Sequence, residues 1–439
     1  MKKTILILSL LIVIFAGLIA QQQRFPQPEF QSGYEIPEPT APDPRAVFMD
    51  YVDIAVLILV LGISIWFIFR KRSRKGILWT GIFSLAYFGF YREGCICAVG
   101  AVQNLSLAIF NNAYTIPLTA LAMFLIPLIV SLFYGRIFCA SACPLGIIQD
   151  IFIVKPIKVP GWLQTALSII PFLYLGFAVL FAATGSGFII CRYDPFVGFF
   201  RMGAEFHMIV LGVLFLATGM FIARPYCRFI CPYGALLSIT SRFSRKHLSI
   251  TPDNCISCNL CKDSCPFDAI DKPTEEKEQK LTRQFRGRFL WIILLMPVLI
   301  FVGGWAMSAS YKTLSQVHPD VHLARRIVAN PEILKNTADI DIQTFIASGR
   351  TLDELVKDSL AIEQQYRTGG WWLGGFIVLV IALTLLNQLT FRKKVIYEPN
   401  RGNCYSCARC MDYCPVGKPE HPWHKEHPEQ LKNNRTEET

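Results

Sequence analysis

The chain has 439 residues, 53% of them apolar and only 17% charged, with a mean hydropathy of +0.39. An ordinary soluble domain carries about 25% charged residues, so a large soluble enzyme is excluded and a membrane protein is indicated. The net charge of +11 does not signal a nucleic-acid partner, because the Lys and Arg cluster beside apolar runs and no basic helix with interleaved aromatics occurs.

In chain order, residues 1–20 form a signal-like first span behind Met1-Lys2-Lys3. Its end lacks a small residue three before the cut, which favours an uncleaved anchor. Residues 21–50, with Pro26, Pro28, Pro37, Pro39, Pro42 and Pro44, read as an extended extracytoplasmic linker. Further runs long enough to cross about 30 Å of hydrocarbon are Val52–Phe69, Gly76–Phe90, Ile116–Phe133, Leu163–Ala183, His207–Ala223, Phe289–Ser308 and Trp371–Thr390. The basic groups Arg70, Lys71 and Arg72, then Lys155 and Lys158, then Arg242, Arg245 and Lys246, and finally Arg392, Lys393 and Lys394 fall on one side if the spans alternate. That places both termini in the cytoplasm. Residues 51–240 would be the membrane core and 309–369 an extracytoplasmic helical loop. The spans flanking that loop would be 286–308 and 370–391, and residues 419–439 a disordered tail.

The chain contains 15 cysteines. Cys255-x2-Cys258-x2-Cys261-x3-Cys265-Pro266 is a bacterial ferredoxin run, and Cys404-x2-Cys407-x2-Cys410-x3-Cys414-Pro415 repeats it. Three thiolates at this spacing wrap a loop around three corners of a [4Fe–4S] cube, and the fourth, beside Pro, reaches the other cluster. Zinc sites pair two CxxC units at a longer interval and do not favour a terminal Cys-Pro. The expected ligand sets are therefore crossed: Cys255, Cys258 and Cys261 with Cys414, and Cys404, Cys407 and Cys410 with Cys265. The fold expected is a polytopic α-helical membrane protein of about seven or eight spans, with a cytoplasmic two-cluster ferredoxin domain. A membrane hairpin would split that domain into halves at 241–285 and 392–418.

The membrane core repeats a second motif. Arg136-x2-Cys139-x3-Cys143-Pro144-x-Gly146 matches Arg224-x2-Cys227-x3-Cys231-Pro232-x-Gly234, 88 residues later. A weaker copy runs Cys97-Ala-Val-Gly100-Ala-Val-Gln103, beside Cys95, and echoes Cys143-Pro-Leu-Gly146-Ile-Ile-Gln149. Thiols at i and i+4 share a helical face, so Cys139, Cys143, Cys227 and Cys231 either supply a further thiol-bound centre or pack as structural residues. Cys95, Cys97 and Cys191 are candidates for an outer-face site. A cytoplasmic ferredoxin reaches an outer partner only through a relay across the bilayer, and these thiols are its obvious carriers. Arg92, Arg136 and Arg224 either offset the charge of such a centre or snorkel to the interface. His207, His318 and His322 read as ordinary interfacial residues.

Together, the paired Cys-Pro copies and the two ferredoxin runs behind a polytopic core resemble the membrane polyferredoxins of the NosR/NapH type, which are associated with the nitrous oxide and periplasmic nitrate reductase systems. The resemblance covers Gly76–Pro419. It implies two [4Fe–4S] clusters on the eight ferredoxin cysteines, with Cys139, Cys143, Cys227 and Cys231 as the family's membrane Cys-Pro pairs. It also implies electron transfer between a cytoplasmic donor or quinone and an extracytoplasmic redox protein or flavoprotein, as a subunit of an oxidoreductase system rather than a stand-alone enzyme. Regulator-type members carry a large N-terminal flavin domain; here the Pro-rich residues stand in its place, with no flavin-attachment motif. A rival reading is a maturation or regulatory factor that supplies electrons or handles copper for metalloenzyme assembly, since soft thiolates suit Cu(I) equally.

Overall fold

A computed structural model of the chain describes residues 46–94, 97–112, 114–203, 205–250, 255–256, 258–273, 286–335, 339–389, 394, 396–416 and 421–423. The anchor, nearly all of the proline-rich linker, Cys95 and nearly all of the tail lie outside the described residues.

Helix α1 (Val47–Trp66) starts within the stretch assigned to the linker and continues through a π-helical turn, Phe67–Lys71, that ends at Arg72 with φ 49°. Helix α2 (Arg74–Ser84) is capped by Ser73, whose hydroxyl accepts from the Gly76 amide at 3.3 Å, and runs on through a π-helical segment, Leu85–Tyr91. Next come α3 (Ala98–Phe110), α4 (Leu118–Tyr134), α5 (Pro144–Ile151), α6 (Gly161–Leu167), α7 (Ile170–Ala183), α8 (Ile189–Arg192), α9 (Val197–Arg201) and α10 (Phe206–Gly219). They are followed by α11 (Pro225–Phe229), α12 (Pro232–Arg242) and α13 (Leu260–Asp263). Pro144 and Pro232 each open a helix directly after a cysteine, because proline lacks the N–H that a first-turn residue does not need and its φ is already helical. The two Cys-Pro motifs thus convert what would be continued spans into short helices that begin inside the bundle.

Four segments are long and apolar enough to cross a membrane: Val47–Lys71, Gly161–Ala183, Phe289–Ala309 and Leu352–Gln388. The runs expected at Ile116–Phe133 and His207–Ala223 give the shorter apolar helices Leu118–Tyr134 and Phe206–Gly219. Gly135, at φ 77°, ends the first of these. A third short apolar helix, α3, was not foreseen as an element.

Helix α14 (Arg286–Ala309) and the 38-residue α18 (Leu352–Leu389) form an antiparallel hairpin. Their backbones meet at glycines: a Cβ on Gly374 would lie 2.1 Å from the Gly303 carbonyl, and one on Gly370 3.1 Å from that of Met307. Such contacts let membrane helices approach closely without a hydrophobic driving force between them. Between the two lie α15 (Tyr311–Leu314), α16 (Pro319–Ala329) and α17 (Ile340–Ala347). The helix expected around Leu352–Tyr366 and the span expected from Trp371 are one uninterrupted α18, since Gly369 and Gly370 remain helical, packed on Leu180 and Met307. His318 caps α16, its Nδ1 accepting from the Asp320 amide at 3.2 Å; His207 pairs with Glu205 at 3.2 Å, both exposed.

The hairpin separates two strands that pair beyond its open end. β1 (Ile270–Asp271) and β2 (Glu398–Pro399) are antiparallel, with Ile270 opposite Pro399. The Asn400 amide extends the ladder to the Ala269 carbonyl at 2.7 Å, Lys394 and Asp271 form an ion pair, and Tyr397 hydrogen-bonds Asn259. The two ferredoxin runs are thereby joined. The last helix, α19 (Arg409–Asp412), belongs to the second run.

Candidate functional site

In each run the third cysteine lies in a one-turn helix entered through a left-handed residue. Asn259 (φ 64°) precedes α13 with Cys261, and Ala408 (φ 58°) precedes α19 with Cys410. Asn tolerates this conformation and Ala does not, so the Ala408 turn is held by its surroundings, where Ala408 and Cys410 are buried.

Two small cavities lie in the joined domain. One is lined by Cys255, Cys258, Cys261 and Cys414, with Ile250, Tyr397 and Val416 around them. The other is lined by Cys404, Cys407, Cys410 and Cys265, with Phe267, Tyr405 and Ile270. Each quartet draws three thiols from one run and the fourth from the other, and each wall is otherwise largely apolar. Among the described residues no three His, Cys, Asp or Glu side chains converge as the ligands of a single ion; the thiols instead stand around a space. Burial first, then the neighbouring Cys258, pushes the Cys261 thiol up to about 12, and burial pushes Cys404 to about 12 as well. Four thiolates can coexist there only around a cationic core, and the Ser406 amide already points at Cys404 Sγ, 3.4 Å away. The donor set, the crossed quartets and the amide fit a [4Fe–4S] cluster at each place.

The membrane cysteines Cys139, Cys143, Cys227 and Cys231 are all buried and belong to one core with Phe138, Tyr226, Tyr233 and Tyr405. Cys231 caps α12, its sulfur accepting from the Gly234 amide at 3.3 Å, and Gln149 Nε2 donates to Cys227 Sγ at 3.2 Å. The repeat's arginine and glycine work across the two copies. A Cβ on Gly146 would stand 3.3 Å from Arg224 Nη1, and one on Gly234 3.2 Å from Arg136 Nη2. Each copy's arginine therefore seats against the other copy's Cys-Pro-x-Gly turn, where a side chain would displace it. Arg136 is 4% exposed and Arg224 0%, so neither snorkels, and that alternative is overturned for both.

Arg224 donates to the Cys139 carbonyl at 2.5 Å and pairs with Asp150 at 3.4 Å. Asp150, also buried, pairs with Arg74 and, at 3.4 Å, with Arg409, while Arg74 donates to the Cys407 carbonyl at 3.1 Å. Tyr405, the residue after Cys404, links the same parts. Its hydroxyl donates to the Cys227 carbonyl at 3.2 Å, and its ring lies 4.2 Å from the Arg136 guanidinium and 4.7 Å from the Phe267 ring. The second quartet and the membrane thiols are thus separated by little more than one aromatic side chain. Arg136 Nε, Arg224 Nη2 and Arg228 Nη2 are buried without a hydrogen-bond partner among the described residues. Donors left over beside four thiols fit a negatively charged, thiolate-bound centre.

Sequence reasoning missed Asp150 and Tyr405; Asp150, the one charged residue of an otherwise uncharged helix, was the available signal. Of the outer-face candidates, Cys97 shares a small cavity with Cys143 and Met123, and Cys191 approaches Gly100. A larger cavity, about 550 Å³, opens between α7, α12, α18 and the ferredoxin halves, lined by Arg136, Cys227, Arg228, Asp268 and Tyr405 and, on its apolar side, by Phe172, Phe376 and Leu383.

Two 4Fe–4S binding domain families match the chain, one at residues 116–160 and 205–251, over the two Cys-Pro motifs, and the other at 248–271, over the first ferredoxin run. The putative electron transport protein YccM of Escherichia coli is 24% identical over 38% of this chain and 52% of its own length. Protein NirI of Paracoccus denitrificans is 30% identical over 46% of this chain and 31% of its own. The regulatory protein NosR of Stutzerimonas stutzeri is 24% identical over 46% and 30%. The chain thus spans about a third to a half of the length of these relatives. No solved structure matches it.

Proposed function

We propose, for what is a NosR/NapH-like membrane protein of the ferredoxin type, that it conducts electrons across a bacterial cytoplasmic membrane, with both termini and the ferredoxin domain inside. The observation that carries this reading is the continuity of thiols, from the two crossed quartets through Tyr405 to Cys227, Cys139, Cys143 and Cys97. When bound, [4Fe–4S] clusters supply reversible one-electron transfer. Cys255, Cys258, Cys261 and Cys414 would hold one, and Cys404, Cys407, Cys410 and Cys265 the other. Cys139, Cys143, Cys227 and Cys231 would hold a further centre, with Arg136 and Arg224 balancing its charge inside the bundle.

The chain's own residues fix the separation of these sites. The Asp150 network ties α5 to both Arg74 and Arg409, so that the second quartet cannot shift relative to the Cys-Pro turns. The 550 Å³ cavity, polar beside Cys227 and apolar toward the spans, suits a quinone donor as well as a protein surface would suit a soluble one. The acceptor would be an extracytoplasmic redox protein or flavoprotein.

The test is iron content and EPR on protein purified without oxygen, before and after dithionite. About eight irons per chain in the two ferredoxin sites, and clearly more if the membrane quartet is loaded, is the expected result. Cys414→Ser should disturb the cluster whose other ligands are Cys255, Cys258 and Cys261. Loss confined to the cluster of Cys404, Cys407 and Cys410 would overturn the crossed assignment, and iron-free protein carrying copper at Cys139 and Cys227 would replace electron conduction with metal handling.

A further inference from the structure

The cavity of about 550 Å³ lies where two membrane-length segments part. Helices α7 and α18 pack tightly at small residues: a Cβ on Gly176 would stand 2.6 Å from the Leu373 side chain, and one on Gly369 2.4 Å from that of Leu180. From Phe172 and Phe376 toward the ferredoxin runs, the same two helices line the cavity instead, together with α12 and residues of both runs. Its volume falls in the ~300–1,000 Å³ range of small-molecule sites. On the apolar side Ile239 and Leu383 border it, and both are exposed, so this side faces the hydrocarbon of the bilayer.

The opposite end is cationic. Arg136, Arg228 and Arg242 line it, with the carboxylates of Asp268 and Asp271. Asp271 is already paired with Lys394 and accepts from Asn400 Nδ2 at 3.3 Å, which leaves Asp268 to face three guanidinium groups. Arg136, 4% exposed, spends Nη1 on the Gly402 carbonyl at 3.1 Å and is shared with the proposed thiol centre. Arg228 is the group left over. Its guanidinium lies over the Phe229 ring at 5.0 Å, and its buried Nη2 has no hydrogen-bond partner among the described residues. A buried charged donor without an acceptor is costly, and the guanidinium fork matches phosphate. We propose that the cavity seats one anionic phospholipid from the leaflet on the ferredoxin side, with its phosphate at Arg228 and its acyl chains between Phe172, Phe376 and Leu383. Basic pockets between spans recognise such headgroups. An uncharged quinone would share the apolar side but give Arg228 no anion. The lipid ties α7, α12 and α18 to both ferredoxin runs, through Phe267 of the first and Tyr405 of the second, a role separate from electron conduction.

The test is a thermal melt of the full chain, stripped of lipid in a neutral detergent and returned to micelles containing dioleoylphosphatidylglycerol or dioleoylphosphatidylcholine, with phospholipid and iron counted in the same samples. Phosphatidylglycerol should raise the melting temperature and stay bound at about one per chain, whereas phosphatidylcholine, with identical chains, should do neither. Arg228→Gln should weaken phosphatidylglycerol at least tenfold with iron unchanged, and Arg228→Lys, which keeps the charge, should recover part of the binding. Leu383→Trp fills the apolar side without altering charge; it should also weaken the lipid, and it carries the test if Arg228→Gln does not fold. Equal responses to the two lipids, or undiminished phosphatidylglycerol binding in both Arg228→Gln and Leu383→Trp, would overturn the site. A quinone or free fatty acid retained in place of phospholipid by the purified chain would reassign the cavity and overturn it too. Failure of the electron-conduction reading would appear separately, as missing iron in the unsubstituted chain with lipid binding intact.

Discussion

Among single residues, Asp150 has the largest consequence for its size. It is one buried carboxylate facing Arg224, Arg74 and Arg409, and removing one partner of a buried ion cluster typically costs about 3–5 kcal/mol because the remaining charges stay desolvated. Asp150→Asn is therefore expected to lower the melting temperature of the detergent-solubilised protein sharply, whereas Arg409→Ala, at the network's exposed edge, should cost much less. Equal effects would mean the three arginines find other partners. His247 gives a pH signature at the same scale. Burial, then Arg401, lowers it from its ordinary 6.5 to about 4. Between those values the unfolded chain binds more protons than the folded one, so stability is full above pH 6.5 and falls as pH drops toward 4, by at most about 3 kcal/mol. Thermal melts of the unsubstituted chain and His247→Gln across that window check this: the variant should show a flatter profile, and parallel profiles would assign the acid sensitivity elsewhere. The sequence offered Asp150 only as a charge in an apolar helix, because the significance of Asp150 and His247 comes from groups that only the fold brings beside them.

The helical elements were partly legible, and the reason lies in what breaks them. Apolar length identified the long spans, such as Gly161–Ala183 and Phe289–Ala309. It failed for α3, whose 13 residues are too few to cross a membrane at 1.5 Å per residue, and which exists because Cys97 starts a helix inside the bundle. Hydropathy also could not show that Gly369 and Gly370 continue α18, since a glycine pair weakens a helix by itself and here persists where Leu180 and Met307 pack against it. That dependence on neighbours predicts a contrast. Gly374→Leu should separate α14 from α18, because even a Cβ would strike the Gly303 carbonyl; the hairpin connects the two cysteine runs, so under the proposed cluster assignment iron should be lost from both quartets together. Gly62→Ala, in α1 with nothing within 4 Å of the added atom, should be neutral or stabilise by up to about 1 kcal/mol. Iron content with melting temperature for the two variants decides it: retention of iron in Gly374→Leu would show that the ferredoxin halves hold together without the hairpin.

For the whole molecule, the crossed cysteine spacing made the union of two distant runs legible before any coordinates, since neither run alone supplies both quartets. What the spacing could not reveal is how that domain sits on the membrane thiols. The junction is built from Tyr405, Phe267, Arg136 and Arg224, residues whose types are ordinary at their positions and whose meeting depends on the hairpin returning the second run to the Cys-Pro turns. Under the conduction proposed here, Tyr405 is the packing element between the second quartet and Cys227, and its ring matters more than its hydroxyl. Removing the ring leaves a void between the two thiol groups and frees two guanidinium groups, whereas removing the hydroxyl forfeits one hydrogen bond, a net loss of about 1 kcal/mol. In proteoliposomes loaded with dithionite and given an impermeant acceptor outside, Tyr405→Phe should conduct near the unsubstituted rate. Tyr405→Ala should conduct at least tenfold more slowly with its ferredoxin iron retained. Should Tyr405→Ala conduct normally with its iron in place, electrons would leave the ferredoxin domain by a route other than the Cys-Pro core.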